Sequence, residues 1–476
     1  MIPEMKWSYY FEYVFIITIF CFTTNRTTAQ VISNKNFSLG SYGRIGAGFA
    51  PQINGGIGRS LNLNGMGSIG GRMEEADYLE LVTAFHFKAE EKKTDSTSIN
   101  VQARMAFYSS AGQLIGNVNT KSYGGITTAL PELYAEADHI AGTAWNIWIG
   151  AKFLRGNDIH IADHQYFDDH SSQGFGASNK NNSFAILFPG AVDTSSSVPP
   201  YFYLNIVDGT PRIGLRGRTV LIYEHIFPLK NGQQSIKLLT EFHKLSNATV
   251  TDTSSQYNYP SDIGWVIGAK HVININTAKP GSFNQFAVRY GTGIANGDDG
   301  GNSKTWLTYG APDMKSKKFT GAYCFSLVEH LLLNLSNKFS INAYGIYTKN
   351  KGASDSANKS PDYFGRQIFN NKTDFALGAR AFFYFSDHFV LMSELHHAIR
   401  KDGDQDPAAM TKLSIVPTYV PSGKRDPWAR PQFRFIYSIA HYNQFASDNM
   451  YSPFLQEVGK KRWGQYFGVR VEWWIF

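Results

Sequence analysis

Cysteine is almost missing: 476 residues hold only Cys21 and Cys324. Cys21 lies in an N-terminal apolar run, so its removal with that run would leave one thiol and no intramolecular disulfide. Charge is also scarce, at 17% of residues. That is low for a soluble enzyme, whose helices supply many Glu and Lys. After residue 30 there is no apolar run of the roughly 18 residues that a spanning helix needs. The net charge of +7 has no cluster, which removes the electrostatic case for nucleic-acid binding. No G-x-S-x-G elbow is present, and the glycines of "GRIGAGFA" have no βαβ context. What is plentiful is aromatic: 15% of the chain is Phe, Trp or Tyr.

The first 30 residues read as a secretory signal peptide. Lys6 precedes the short run "YVFIITIFCF", and small residues surround Ala29. An uncleaved anchor is the alternative; a lipoprotein reading of Cys21 is set aside because Phe20 is too bulky beside it. Residues 31–476 then form one exported domain.

Its last residues, "GQYFGVRVEWWIF", put Val469, Val471, Trp473 and Ile475 on one side. Arg470, Glu472 and Trp474 fall on the other, a period of two with two unlike faces. The pattern recurs. Leu79, Leu81, Phe85 and Phe87 oppose Tyr78, Glu80 and His86; Phe375, Leu377, Phe383 and Phe385 oppose Asp374, Arg380 and Tyr384. Segments of about ten residues suit tilted membrane strands. Long polar stretches such as "FPGAVDTSSSVPP" alternate with turns as short as "SNK" before Phe339 and "SDH" before Phe389. That asymmetry favours a transmembrane antiparallel β-barrel over a soluble sandwich, with long extracellular loops and short periplasmic turns. The length predicts about 18 strands. Phe383, Phe385 and Tyr437 are expected near strand ends, in an interfacial girdle.

Several stretches resemble the maltoporin (LamB-type sugar porin) family: "LGSYGRIGAGF", "EADYLELVTAF", "WARPQFRFIYSIAHYN", "FGVRVEWW" and, most specifically, "NIWIGAKFLRGNDIHIADHQYFDD". The resemblance implies a trimer of outer-membrane barrels, each a channel for oligosaccharides. It implies that Tyr42, Tyr78 and Trp474 are lumen aromatics on which sugar rings slide. Arg44, Glu80, Asp158, His160 and Asp163 would form a polar track beside them, on a loop that folds inward as the constriction. Three arginines of the family pattern fall on Gly156 (next to Arg155), near Ser68 (close to Arg72) and near Pro131. A constriction tyrosine falls on Gln165, beside Tyr166. These departures predict a less basic track than in a maltodextrin channel. Asp158 and Asp163 are expected to face Arg44, with Lys152 or Arg155.

His160, His164 and His170, with Asp163, Asp168 and Asp169, match no zinc spacing. No cofactor is expected; a structural calcium on these carboxylates is the one metal alternative. The resulting expectation is a carbohydrate channel in the outer membrane of a Gram-negative bacterium, touching lipid and lipopolysaccharide. A general porin for small polar solutes is the runner-up, and a barrel enzyme of the lipase kind the reading from another class.

Overall fold

Period-two segments become strands, and the strands close on themselves. The computed structural model describes residues 32–475, apart from 55, 89–96, 110–125, 190–202, 208–209, 216, 252–255, 298–303, 305 and 363–366. The leader assigned to residues 1–30 and most of "FPGAVDTSSSVPP" therefore lie outside the described residues. Among those described, eighteen antiparallel strands pair in chain order. The first nine are β1 (Phe37–Phe49), β2 (Tyr78–Lys88), β3 (Ser98–Ser109), β4 (Ile126–Asp138), β5 (Asn146–Lys152), β6 (Ser172–Ser178), β7 (Asn182–Leu187), β8 (Arg218–Leu229) and β9 (Gln234–Leu245). Then follow β10 (Asp262–Ile275), β11 (Ser282–Gly293), β12 (Tyr323–Leu333), β13 (Phe339–Lys351), β14 (Asn371–Tyr384), β15 (Phe389–Asp402), β16 (Ala408–Tyr419), β17 (Gln432–Tyr442) and β18 (Trp463–Ile475). β18 pairs with β1, so every strand has two neighbours. A closed sheet leaves no backbone edge unsatisfied in lipid.

The two faces divide as the alternation requires. On β15, Glu394, His396 and Arg400 point inward and are buried, while Leu395 faces out. Phe85, Ile149, Trp265, Leu377 and Phe435 are likewise exposed on the outside, where hydrocarbon takes the place of water. Phe383 and Phe385 sit at the end of β14, as a girdle would have them. Tyr437 does not: it lies mid-strand in β17, with its ring centroid 4.8 Å from that of Phe467. The segment read as ending near it continues to Tyr442, because inward Ser438 and Ala440 keep the alternation going.

One end of the barrel carries tight turns at 179–181, 230–233, 334–338 and 385–388. The other carries the long connections, and two of these fold into the lumen. Residues 50–77 bury Leu61, Leu63, Met66, Ile69 and Met73 in the same cluster as Tyr344, Met392, Met410 and Tyr466 of the inner wall. Each such side chain contributes about 1.5–3 kcal/mol on burial. Lys412 anchors the segment, its Nζ donating to Asn62, to the Gly71 carbonyl and to Glu74. Gly71 has φ +104°, and a Cβ there would lie 2.8 Å from His396, so close approach requires glycine. The 443–462 connection holds two short helices, α1 (Gln444–Asp448) and α2 (Pro453–Val458). Asn443 caps the first and Ser452 the second. Phe454 and Leu455 of α2 complete the apolar cluster around the first loop.

The second inward segment is 153–171, between β5 and β6. Its middle is buried: Ile159, Ile161, Ala162, Tyr166 and Phe167 are all at most 3% exposed. It crosses to the opposite wall, where Arg289 of β11 donates to the Phe167 carbonyl at 2.9 Å. Tyr166 donates to Gln285, Lys270 of β10 to Asn157, and Lys237 of β9 meets Asp168 at 2.6 Å. His170 lies 3.0 Å from Glu241 of β9. This loop, which the resemblance implies folds inward, does lie inside the barrel.

Candidate functional site: a lumen cavity lined by aromatic rings and paired charges

Between the 153–171 segment and the wall around the β18–β1 seam lies a cavity of about 490 Å³. Its lining includes Tyr42, Tyr78 and Trp474, Arg44, Glu80 and Arg155, and Asp158, His160, Asp163 and Gln165. All ten residues singled out from the sequence therefore meet around one space. Arg72, Arg104 and Trp428 join them.

Strand pairing sets the aromatic side. Tyr42 on β1 is the register partner of Trp474 on β18 and of Glu80 on β2. The Tyr42 and Tyr78 rings have centroids 5.8 Å apart and are tilted 53°. Trp428 comes from the 420–431 connection, which belongs to the short-turn end yet reaches into the lumen. Its ring lies 6.5 Å from Trp474 and 6.0 Å from His160. Arg430 covers Trp474, the guanidinium carbon 3.9 Å from the ring centroid.

The charges are held by each other. Tyr42 accepts hydrogen bonds from Arg72 Nη2 at 2.8 Å and Arg44 Nη1 at 3.2 Å. Arg44 and Arg72 share Glu75, at 3.1 and 2.9 Å. Arg104 bridges Glu80 and Glu132, and Tyr78 donates to Glu80. Glu472, only 1% exposed, takes Arg430 and Arg434, with Arg72 at 3.6 Å. A carboxylate buried this deeply is tolerable only with such partners. His160 stands between Arg72 Nη1, 2.9 Å from its Nδ1, and Arg430 Nη2, 3.0 Å from its Nε2. Asp158 Oδ2 is 3.5 Å from the same Nδ1. Partial desolvation would raise the carboxyl pKa of Asp163, but the Arg72 and Arg44 guanidiniums outweigh it and hold the group below the usual range. Asp163 thus faces Arg44, as expected, but together with Arg72. Lys152 is not its partner; it meets Glu136 at 2.7 Å.

A tilted row of rings thus stands beside alternating acids and guanidiniums inside the barrel. The chain belongs to the LamB porin family. That family's model, described as LamB porin, matches residues 37–474. The protein is accordingly an outer-membrane porin of a Gram-negative bacterium. No curated protein sequence matches it. Among solved structures it is similar to OmpF of Salmonella typhi in complex with daunomycin, at 10% identity and TM-score 0.41, over 93% of this chain and 100% of that one. It is also similar to OccK1 of Pseudomonas aeruginosa, at 8% and 0.45, over 94% and 100%. OpdK of the same organism, solved with vanillate, aligns at 9% and 0.44, over 94% and 100%. At these identities and scores the three carry no inference about what crosses this porin.

Against the LamB porin pattern, the three displaced arginines have near substitutes. Arg155 stands next to Gly156, Arg72 four residues after Ser68, and Arg104 opposite Glu132, the neighbour of Pro131. Four arginines line the cavity: Arg44, Arg72, Arg104 and Arg155. A guanidinium on a long side chain reaches one space from several backbone positions, so sequence spacing alone does not place Arg72 and Arg104 there. Arg104 was legible in principle, sharing inward parity on β3 with buried Ala106. Trp428 lacked any such signal: the proline-flanked stretch around it does not alternate.

Proposed function

We propose that this LamB-family porin facilitates diffusion of saccharides, without catalysis and without a cofactor. One observation carries the reading: Tyr42, Tyr78, Trp428 and Trp474 line the same cavity as an acid–guanidinium network. Ring faces offer an apolar surface to the C–H face of a pyranose, about 1 kcal/mol for each stacked ring. Carboxylates accept from sugar hydroxyls and guanidiniums donate to them, replacing the water that the sugar sheds. Interactions of this size bind and release, as conduction demands. Two of the three loop carboxylates considered for calcium have protein cations instead: Asp168 takes Lys237, and Asp163 lies in the field of Arg72 and Arg44.

The mature chain begins after a cleaved leader near residue 30 and assembles as a homotrimer in contact with lipopolysaccharide. Support for assembly comes from β5, β6 and β7, which have only seven, seven and six residues. Such strands fall short of the roughly 25 Å apolar band of a barrel. Over them lies an outward apolar groove edged by Ile147, Ile149, Phe175, Phe184 and Leu221, with small Ala135, Ala137, Gly176 and Ala177 at its base. A second copy of the chain covers this wall better than lipid does. The mass of the detergent-extracted particle tests this; a monomer in mild detergent would refute it.

Planar-bilayer recordings test the channel reading. Maltodextrins of increasing length should block ion current in a saturable, length-dependent way. Conductance without saturable block would leave a general porin for small polar solutes. Hydrolysis of labelled lipid by a non-conducting protein would point to a barrel enzyme.

A further inference from the structure

The four cavity arginines are not equivalent. Arg44 has Glu75 at 3.1 Å, Arg72 has Glu75 at 2.9 Å, and Arg104 bridges Glu80 and Glu132. Arg155 has no carboxylate within ion-pair distance among the described residues, although it lines the same space and is exposed to it. Among the described residues its side chain makes no hydrogen bond either; its guanidinium carbon instead lies 4.0 Å from the centre of the Phe153 ring. Stacking on an arene fixes the plane of a guanidinium while leaving its N–H edge free. Gly156, next in the chain, has open space where a side chain would stand.

The acids of the cavity differ as well. Glu80 is taken by Tyr78 and Arg104, while Asp163 is exposed and lies in the field of Arg72 and Arg44. The Asp158 side chain is 33% exposed, with Oδ1 buried and Oδ2 3.5 Å from His160. A solute in the cavity thus meets Arg155, a cation with no carboxylate partner among the described residues, and two acceptors, Asp158 and Asp163. Planar bidentate donors match a carboxylate, while a lone acceptor matches a hydroxyl.

We propose that Arg155 is a specificity-determining residue that adapts this channel to acidic saccharides: a ring carboxylate docks on the Arg155 fork while neighbouring hydroxyls meet Asp158. This rests on the saccharide-channel reading above and names its substrate class. A sugar phosphate or sulfate offers the same guanidinium an anion of different geometry, and the test separates these from a carboxylate.

The full-length porin in planar bilayers is titrated with trigalacturonate, maltotriose, glucose 6-phosphate and glucose 6-sulfate at fixed ionic strength. Trigalacturonate should block at lower concentration than maltotriose, by about fivefold, the scale of one charge-assisted pair in a wet lumen. R155Q should bring that ratio close to one, and R155K should restore part of it. Because the Arg155 side chain is exposed and makes no hydrogen bond among the described residues, R155Q should assemble normally; unchanged heat-modifiability checks this. A ratio of one in the parent, or a ratio unchanged in R155Q, would overturn the proposal while maltotriose block kept the saccharide reading alive. Stronger block by the phosphate or sulfate than by trigalacturonate would also overturn it, in favour of another anion. If neither trisaccharide blocks, the saccharide reading itself fails.

Discussion

Tyr42 and Trp474 are register partners across the seam where the last strand meets the first. Barrel closure and the meeting of these rings are therefore one structural event: the pairing that removes the sheet edge also brings them together. The same seam pairs Arg44 with Glu472, so the ring row and the charge row stand one pleat apart. Trp428 and Arg430 then close on Trp474 from the short-turn end.

Removing a ring should weaken sugar binding more than it widens the pore. Tyr42→Ala, Tyr78→Ala, Trp428→Ala and Trp474→Ala are each expected to raise the blocking constant for maltodextrin several-fold, for a contribution of about 1 kcal/mol per stacked ring. Single-channel conductance should change much less. Tyr42→Phe separates the ring from its hydroxyl, which accepts from Arg72 and Arg44. Equal block in all the alanine variants would show that the rings merely fill space.

The first inward loop depends on Lys412, whose side chain is fully buried against Glu74. Lys412→Met leaves that carboxylate buried and unpaired, a cost of about 3–5 kcal/mol. The barrel hydrogen bonds do not depend on the pair, so the loss should appear as detachment of residues 50–77. Higher and noisier conductance, with protease cleavage in that stretch, is the expected result. Adding Glu74→Gln should suppress both effects. A quiet channel in the single variant would mean that Leu61, Met66 and Ile69 hold the loop without the ion pair.

The barrel was legible because its cause is local: alternation on strands such as β2 and β14 needs only neighbouring residues to be read. Five of the ten cavity residues were legible for a different reason, since "RGNDIHIADHQYF" resembles a known inward loop. The rest depends on distances that no local pattern encodes. Arg104 and Arg72 enter the cavity through side-chain reach, and Trp428 through a loop whose path is fixed by Arg425 with Asp387, 2.9 Å apart, and by Lys279 donating to the Arg425 carbonyl. The apolar packing of 50–77 inside the lumen was equally hidden, because "SLNLNGMGSIGG" has neither helical nor strand period.

A pH effect is expected at the far anchor of the 153–171 segment. Burial alone would lower the His170 pKa, but Glu241 outweighs it, and the imidazolium is favoured above its ordinary range. A raised folded-state value means that this contribution is complete below the unfolded pKa and is lost as pH rises through the folded one. Alkaline titration should therefore loosen the loop at His170, measured as faster amide exchange over residues 166–171. His170→Gln should remove that pH dependence. Loosening on acidification instead would show that the pair is not ionic.

The constriction charges give the last test. Asp158 and Asp163 lie on the segment that crosses the lumen, facing Arg72, Arg44 and the uncommitted Arg155. Opposed charges across a narrow aqueous gap set the sign of the ion that crosses most easily. Because Arg72 and Arg44 hold Asp163 below the usual carboxylate range, the parent should keep its selectivity into mildly acidic solution. Asp158→Asn with Asp163→Asn removes both negative charges and leaves the guanidiniums in place. Reversal potentials in a salt gradient should then shift towards anions, and maltodextrin block should weaken, since an amide is a poorer acceptor for sugar hydroxyls than a carboxylate. The two effects need not be equal. Asp158 leans on His160 and would act mainly on block, whereas Asp163 lies in the field of Arg72 and Arg44 and would act mainly through the arginines it neutralises. The single variants resolve this: D158N should move block more than selectivity, and D163N the reverse. Parent-like selectivity in the double variant would mean that ions bypass this cavity, and the constriction would have to be sought elsewhere in the lumen.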